Sequence, residues 1–263
     1  MGCLYVDRQG VELRAKPGCI AVYEQGELRQ TLPLNLIERV VLSGDVRLSS
    51  GVLSRLAEAG TSVIVLGGIS HRRRLILAGA PGPEAARRIR QYCGFLDANF
   101  RLKAAERIVR SKLAAQLQML RMFRQGGEGD GRAVQNAIAC IRDIRTRLKD
   151  AGAMPLTALL GQEGAAAAVY FRAIQTAFPA KLRFEKRVRR PPTDPVNACL
   201  SLGYTLLHTE AVCALWEAGL DPMIGYLHGI QHGRESLASD LVEPFRPKVD
   251  RWVWKLFRDR VLR

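Results

Sequence analysis

The sequence predicts an α+β chain, a small and mostly β unit followed by a larger all-helical one, and three observations carry that prediction. Residues 1–80 break into short runs of β-formers separated by glycines and turn residues. Residues 84–124 run without proline and with one glycine, and their apolar residues take up roughly helical spacing. Between them, AGAPGPEAA, residues 78–86, has the small-residue, glycine and proline content of a linker. The expected domains are therefore 1–78 and 87–263, joined by a linker over 79–86. A length of 263 residues and a hydrophobic content of 48% allow each unit a core of its own.

In the first unit, CLYVD, GVELRAK, CIAVYEQ and ELRQTLPL read as strands, and IERVVLSG and TSVIVLGG as short apolar strands. SSGVLSRLAEAG lies between the last two and reads as one helix, with Ser49 or Ser50 as its cap and Gly60 at its end. In the second unit, Ile89, Phe95, Leu96, Phe100, Leu113, Leu117 and Leu120 recur between arginines and lysines. QGGEGDG, residues 125–131, reads as a loop, and 132–151 as the next helix. LTALLGQEGAAAAVYFRAIQTAF is expected to hold two helical segments, with Glu163 at the start of a buried one. KLRFEKRVRRPP, residues 181–192, alternates before Pro191 and reads as extended or loop. Residues 194–218 form a long helix too apolar to be exposed all round. Ser236 can cap a helix over SLASDLVE, with Leu237, Leu241 and Phe245 facing inward. Val249, Trp252, Val253, Leu256 and Phe257 make an apolar stripe on the last helix. No internal repeat is present.

Forty basic and 25 acidic residues give a formal net charge of +15. Residues 1–80 carry a net of +3 and residues 81–263 a net of +12, so the positive field belongs to the helical part and points to a polyanion. The six cysteines form no CxxC pair, which excludes a zinc knuckle. They lie among apolar neighbours and read as buried free thiols of a reducing cytoplasm. Met1 to Ile20 carries charges throughout, unlike a signal peptide, and no apolar run approaches the roughly 20 residues that span a bilayer, so no membrane is expected as a partner.

The chemistry concentrates in GYLHGIQHGRESLASDLVEPFRP, residues 225–247, with His228 shortly before Asp240 and Glu243. Asp240 and Glu243 are three apart on one helix face, where two like charges repel unless a cation sits beside them. Glu163, read as a buried carboxylate, is costly without a partner and needs a cation, either arginine or a metal, or the free N–H groups of a helix start. His232 follows His228 by four, but Gly229 and Gly233 disfavour a regular helix and no HExxH pattern is present. One imidazole with two or three carboxylates suits Mg²⁺ or Mn²⁺ better than zinc and leaves positions open for phosphate oxygens. Lys181, Arg183, Lys186, Arg187, Arg189 and Arg190 offer phosphate contacts or a solvated face. Arg107, Arg110, Lys112, Arg121 and Arg124 offer a second such set on helices, and His71, Arg72, Arg73 and Arg74 a third in the first unit.

Several strings together carry a family resemblance: PLNLIERVVLSGDVRLSSGVLSRLAEAGTSVIVL, EGAAAAVYF, RRPPTDPVNACLSLGYTLL, DPMIGYLH and GRESLASDLVEPFRPKVD. In these, and in their order along most of residues 1–250, the chain resembles the CRISPR-associated integrase that acquires new spacers, the first-numbered Cas protein. The resemblance implies a β-sandwich-like N-terminal domain, a helical C-terminal domain, a homodimer and a small ferredoxin-like partner, the second-numbered Cas protein. It implies metal-dependent integration of a short double-stranded DNA into a repeat array, by attack of a 3′-hydroxyl on a phosphodiester. It implies Glu163, His228 and Glu243 as metal ligands, Asp240 as an auxiliary acid, and Asn197 and Arg234 as supports of the site or its DNA. Three departures stand out: Ala115 in KLAAQ replaces an asparagine frequent in the family, many members continue beyond the position of Arg263, and the loop QGGEGDG is unusually rich in glycine. Two other readings stay open, a non-catalytic DNA-binding scaffold of the same fold and a transposase-like integrase outside CRISPR.

Overall fold

The computed structural model of the chain describes residues 2–67, 73–77, 85–150, 154–189 and 191–262. The chain divides into two compact units. The described residues before Ala85 form the first together with Trp216–Gly219, and the rest form the second. The expected linker falls mostly outside the described residues, and its last two positions, Ala85 and Ala86, already belong to a helix.

The first unit is two four-stranded sheets around one core. Strands β1 (Gly2–Val6), β5 (Ile37–Ser43) and β7 (Ser62–Gly67) run parallel, and β8 (Arg73–Leu77) closes that sheet antiparallel. The other sheet has the order β4 (Glu27–Pro33), β3 (Cys19–Glu24), β2 (Val11–Lys16) and β6 (Val46–Leu48). In β2 the alternation is plain: Val11 and Leu13 are buried, while Glu12 and Arg14 point out and pair with each other. The parallel strand β5 instead buries the consecutive Val40, Val41 and Leu42, as strands covered on both faces do. Helix α1 (Ser50–Glu58) adds Val52 and Leu56 to the core shared by both sheets. Ser49 stands at its N-cap without a side-chain bond, so the cap is made by its carbonyl, which accepts from Val52 N. Gly60 follows the helix at a φ of +71°, the left-handed conformation that ends it.

The second unit is helical throughout: α2 (Ala85–Leu96), α3 (Ala98–Gly126), α4 (Gly131–Asp150), α5 (Leu156–Gln175), α6 (Pro195–Glu217), α7 (Ser236–Val242) and α8 (Arg246–Arg258). Asp97 separates α2 from α3, its carboxylate accepting from Asn99 N and Phe100 N. The core is built on α3, whose Ala105, Val109, Leu113, Leu117, Leu120 and Phe123 are buried. Ile89, Leu96 and Phe100, expected on the same stripe, are exposed. The glycine-rich loop has a structural reason. Gly127 is left-handed and lets Glu128 N reach back to Phe123 O, closing α3. A side chain on Gly129 would run into Thr176, whose hydroxyl accepts from Asp130 N.

Four expectations need correction. The segment after position 155 is one helix rather than two, and Glu163 lies in its middle, half-buried, not at a start. On α7, Leu241 and Phe245 are exposed, and it is Asp240 and Glu243 that turn inward with Leu237. On α8 the buried face is Pro247, Asp250, Val253, Trp254 and Phe257, while Trp252 is 50% exposed. Both shifts have one cause: buried acids with partners set the inward face. Of the cysteines, none forms a disulfide, but Cys3 and Cys93 are exposed and only Cys213 is buried. In addition, α6 is long and apolar enough to cross a membrane by length and composition, although Val196, Asn197 and Leu200 on it are buried within the protein.

A buried carboxylate and histidine site in the helical unit

Three segments converge in the second unit. Helix α3 brings Lys112, 8% exposed, onto its own buried stripe. Helix α5 brings Glu163, and the 3-10 turn Glu243–Phe245 between α7 and α8 brings Glu243. The Lys112 ammonium donates to both carboxylates, to Glu163 Oε1 and Glu243 Oε2. Arg246 Nε donates to the other oxygen of Glu243 at 2.9 Å. Burial works to raise the Glu243 carboxyl, but Lys112 and Arg246 overcome it and hold the group below the usual carboxylate range, with His228 adding to the effect.

Asp240 is fully buried. Its Oδ2 accepts from Tyr226 N at 2.6 Å and Leu227 N at 2.9 Å, and its Oδ1 from His228 N at 3.0 Å. The same Oδ1 lies 2.6 Å from His228 Nδ1. An acceptor-only carboxylate there fixes the proton on Nδ1, which leaves Nε2 as the free lone pair of His228. The loop that carries His228 can approach this closely because of Gly225. A Cβ at that position would stand 2.6 Å from the Ser236 carbonyl carbon and 2.9 Å from Asp240 Oδ2. The Ser236 hydroxyl donates to Gly229 O and ties down the same loop instead of capping α7.

A cavity of about 170 Å³ opens beside the glutamates, lined among others by Lys112, Gln116, Glu163, Arg187, Arg246 and Asp250. Asp250 is buried there and accepts from Tyr170 Oη at 2.8 Å and from Tyr204 Oη. Burial pushes its carboxyl up to about 6, against the two tyrosine hydrogen bonds and the Arg246 and Lys112 charges. Gln116, 2% exposed, lines the cavity with its Oε1 unpartnered among the described residues.

The family model for CRISPR associated protein Cas1 matches residues 4–263. The chain belongs to the Cas1 family. It is 37% identical over 262 residues to a CRISPR-associated endonuclease Cas1 of Thermodesulfovibrio yellowstonii, an alignment covering all of this chain and 81% of the relative. Among solved structures it resembles a casposase bound to integration product, with a TM-score of 0.82 at 23% identity, covering 100% of this chain and 74% of that one. It also resembles a chain of a Cas6-RT-Cas1–Cas2 complex, with a TM-score of 0.77 at 23% identity, covering 100% of this chain and 28% of that one. These structural likenesses carry the fold, an N-terminal β unit followed by a mostly helical one.

Set against the family resemblance, the structure brings Glu163 and Glu243 together on one cation and places His228 near Glu243. Among the described residues, no three of His, Cys, Asp and Glu are grouped to hold one ion. Lys112 stands between the two glutamates instead. The donor chemistry still fits a hard divalent cation: two carboxylates already share a positive charge, and an imidazole has its other nitrogen fixed by Asp240. His232 is exposed. Arg234 bonds Gln231 Oε1. Asn197 is fully buried and accepts from Val188 N and Arg187 while donating to Lys186 O, so it pins the basic segment to α6. In that segment Lys181, Arg183, Lys186 and Arg189 are exposed, Arg187 turns inward over the Tyr204 ring, and Arg190 lies outside the described residues. His71 and Arg72, like the side chains of Arg73 and Arg74, also lie outside the description.

The sequence read Lys112 as one more phosphate contact and singled out neither Gln116 nor Asp250. The signal was present in register: Lys112 and Gln116 fall on the stripe of Val109, Leu113 and Phe123, and Asp250 on that of Val253 and Phe257. A polar side chain on a core stripe needs a partner.

Proposed function

We propose that this Cas1-family chain is a metal-dependent DNA endonuclease and integrase that inserts short DNA into a CRISPR repeat array. The observation that carries the proposal is the convergence of Glu163 and Glu243, from separate helical segments, on one cation beside a histidine of fixed tautomer. The name of the 37%-identical relative, an endonuclease, supports it. So does the casposase structure bound to integration product. Glu163, Glu243 and the Nε2 of His228 would hold Mg²⁺ or Mn²⁺. The chemistry such an ion would supply there is polarisation of the scissile phosphate and charge stabilisation at the leaving oxygen.

The remaining work falls to the chain itself. Asp240 holds the His228 ring and its proton at Nδ1. Lys181, Arg183, Lys186, Arg189 and Arg190, with Arg234, hold the phosphate backbone of double-stranded DNA without reading its sequence. A cavity of about 360 Å³ lined by Arg110, Arg121, Arg142, Arg145 and Lys149, with no acid in its lining, offers a further positive surface on α3 and α4. The domains are the β unit, which makes the homodimer, and the helical unit, which carries catalysis and DNA binding. The Cas2 protein is the further partner, in line with the Cas1–Cas2 complex among the structural relatives. The setting is the cytoplasm.

The test combines the protein, with and without its small partner, with short duplex DNA and a supercoiled repeat plasmid in Mg²⁺ or Mn²⁺. Integrated or relaxed plasmid is expected, and none with a chelator. Glu163→Gln, His228→Ala and Glu243→Gln are expected to lose about 10³-fold in strand transfer, the several kcal/mol a catalytic metal supplies. Asp240→Asn is expected to lose about 10–100-fold, as partners of metal-ligating histidines do. Wild-type rates in the first three variants would sink the proposal.

A further inference from the structure

The position of Lys112 is unusual for a site meant to take a divalent ion. Its ammonium stands between Glu163 and Glu243, on the buried stripe of α3. Among the described residues it is the one side chain that donates to Glu163, whereas Glu243 also has Arg246. An ammonium has no lone pair to offer a metal, and a charge of +1 a few ångströms from +2 is repelled. The two cations therefore exclude each other from the carboxylate pair.

We propose that Lys112 is a displaceable counter-ion: it holds the two glutamates together in the metal-free protein and gives way when a divalent cation takes them. This rests on the reading of the pair as a metal site. The structure also supplies a place for the released ammonium. One helical turn along α3, the buried Gln116 lines the same cavity as Lys112 and Glu163, and its Oε1 has no partner among the described residues. Asp250 lines that cavity too and already feels the Lys112 charge. A lysine stem of four carbons swings between such acceptors without moving the helix. The device keeps two carboxylates assembled that would otherwise repel, and it lowers metal affinity by the competition it imposes.

The experiment is Mn²⁺ titration, read by the electron paramagnetic resonance of free and bound ion, together with thermal melts with and without Mn²⁺. Lys112→Met is expected to bind Mn²⁺ about tenfold more tightly than wild type, within the usual range of site-to-site coupling, while melting lower without metal and gaining more from it. Lys112→Arg, which keeps the charge, stays near wild type. Gln116→Leu, which removes the acceptor for the released ammonium and touches no ligand, weakens Mn²⁺ binding severalfold. A folded Lys112→Met with unchanged or weaker Mn²⁺ affinity overturns the inference. If that variant folds in neither condition, Lys112→Gln takes its place under the same criterion, and Gln116→Leu with wild-type affinity counts against the inference in any case. If wild type binds no Mn²⁺, or binds it as well after Glu163→Gln, the metal site itself fails. If those controls behave and only the Lys112 and Gln116 variants do not, the counter-ion role alone fails.

Discussion

Among the described residues of the first unit, the ion pairs lie on the surface. Arg14 pairs with Glu12 across open solvent on β2, and Arg8 and Arg29 with Glu24, all through exposed or half-exposed side chains. In the second unit the pairs of consequence are buried: Lys112 with Glu163 and Glu243, Arg246 with Glu243, and His228 with Asp240. The first arrangement costs little to desolvate and stabilises little. The second carries a desolvation penalty that only complete pairing offsets, so each buried charge depends on its partner. A fold does not need such groups to pack. Their presence on core stripes marks the place where chemistry set the sequence.

The sharpest way to break this contrast is to remove one buried partner. Glu243→Ala leaves Lys112 with Glu163 as its one ion-pair partner among the described residues and takes from Arg246 the carboxylate it pairs with, and the metal-free protein is expected to lose about 3–5 kcal/mol in urea unfolding. A loss below about 1 kcal/mol would place this cluster with the exposed pairs of the β unit and remove the distinction.

The second prediction concerns Asp250. Its ordinary pKa of 3.8 is raised by burial to about 6 in the folded protein. A raised folded-state pKa means that the native state holds the proton more tightly than the unfolded chain. The stability from that proton is complete below about 3.8 and is lost as pH rises through about 6. Between about pH 4.5 and 6.5 the group is expected to lower stability by about 2 kcal/mol as pH rises, which Asp250→Asn removes. Glu243 does not blur the window. Its folded pKa is depressed, so its contribution is lost only as pH falls below the usual carboxylate range. Urea unfolding of both proteins across that range decides it, and parallel pH profiles would count against a buried, proton-holding Asp250.

The same contrast explains what could be read without a structure. In the β unit alternation alone gave the strands, because every charged residue of β2 obeys the rule that charge faces water. In the helical unit the rule fails where it matters. Reading Val249, Trp252, Val253, Leu256 and Phe257 as the inner face of α8 follows from placing all charge outside; Val253 and Phe257 are buried as expected, but Asp250 held by two tyrosines shares that face and Trp252 turns out. Lys112 looked like one more DNA-facing cation for the same reason. Family resemblance singled out Glu163, His228 and Glu243, yet spacing could not show that Glu163 and Glu243 close on a lysine. Asp240 was legible as an acid beside the site but not as an acceptor of three backbone N–H groups, because nothing local marks the loop that wraps it.

The smallest expected effect is the control that the comparison requires. Glu12 and Arg14 are two apart on one strand and project from the same face into solvent, where the Glu12 carboxylate accepts from Arg14 Nε at 2.8 Å. The hydrogen bond from Arg14 holds the Glu12 carboxyl below its ordinary range, but water screens both groups. Glu12→Ala is therefore expected to leave the melting temperature within about 2 °C of wild type. The variant should also show the same response to Mn²⁺ as wild type, since no buried charge loses its partner. A larger drop would mean that exposed pairs carry real stability in this chain, and that burial is not what separates the charges of the helical unit from those of the sheets.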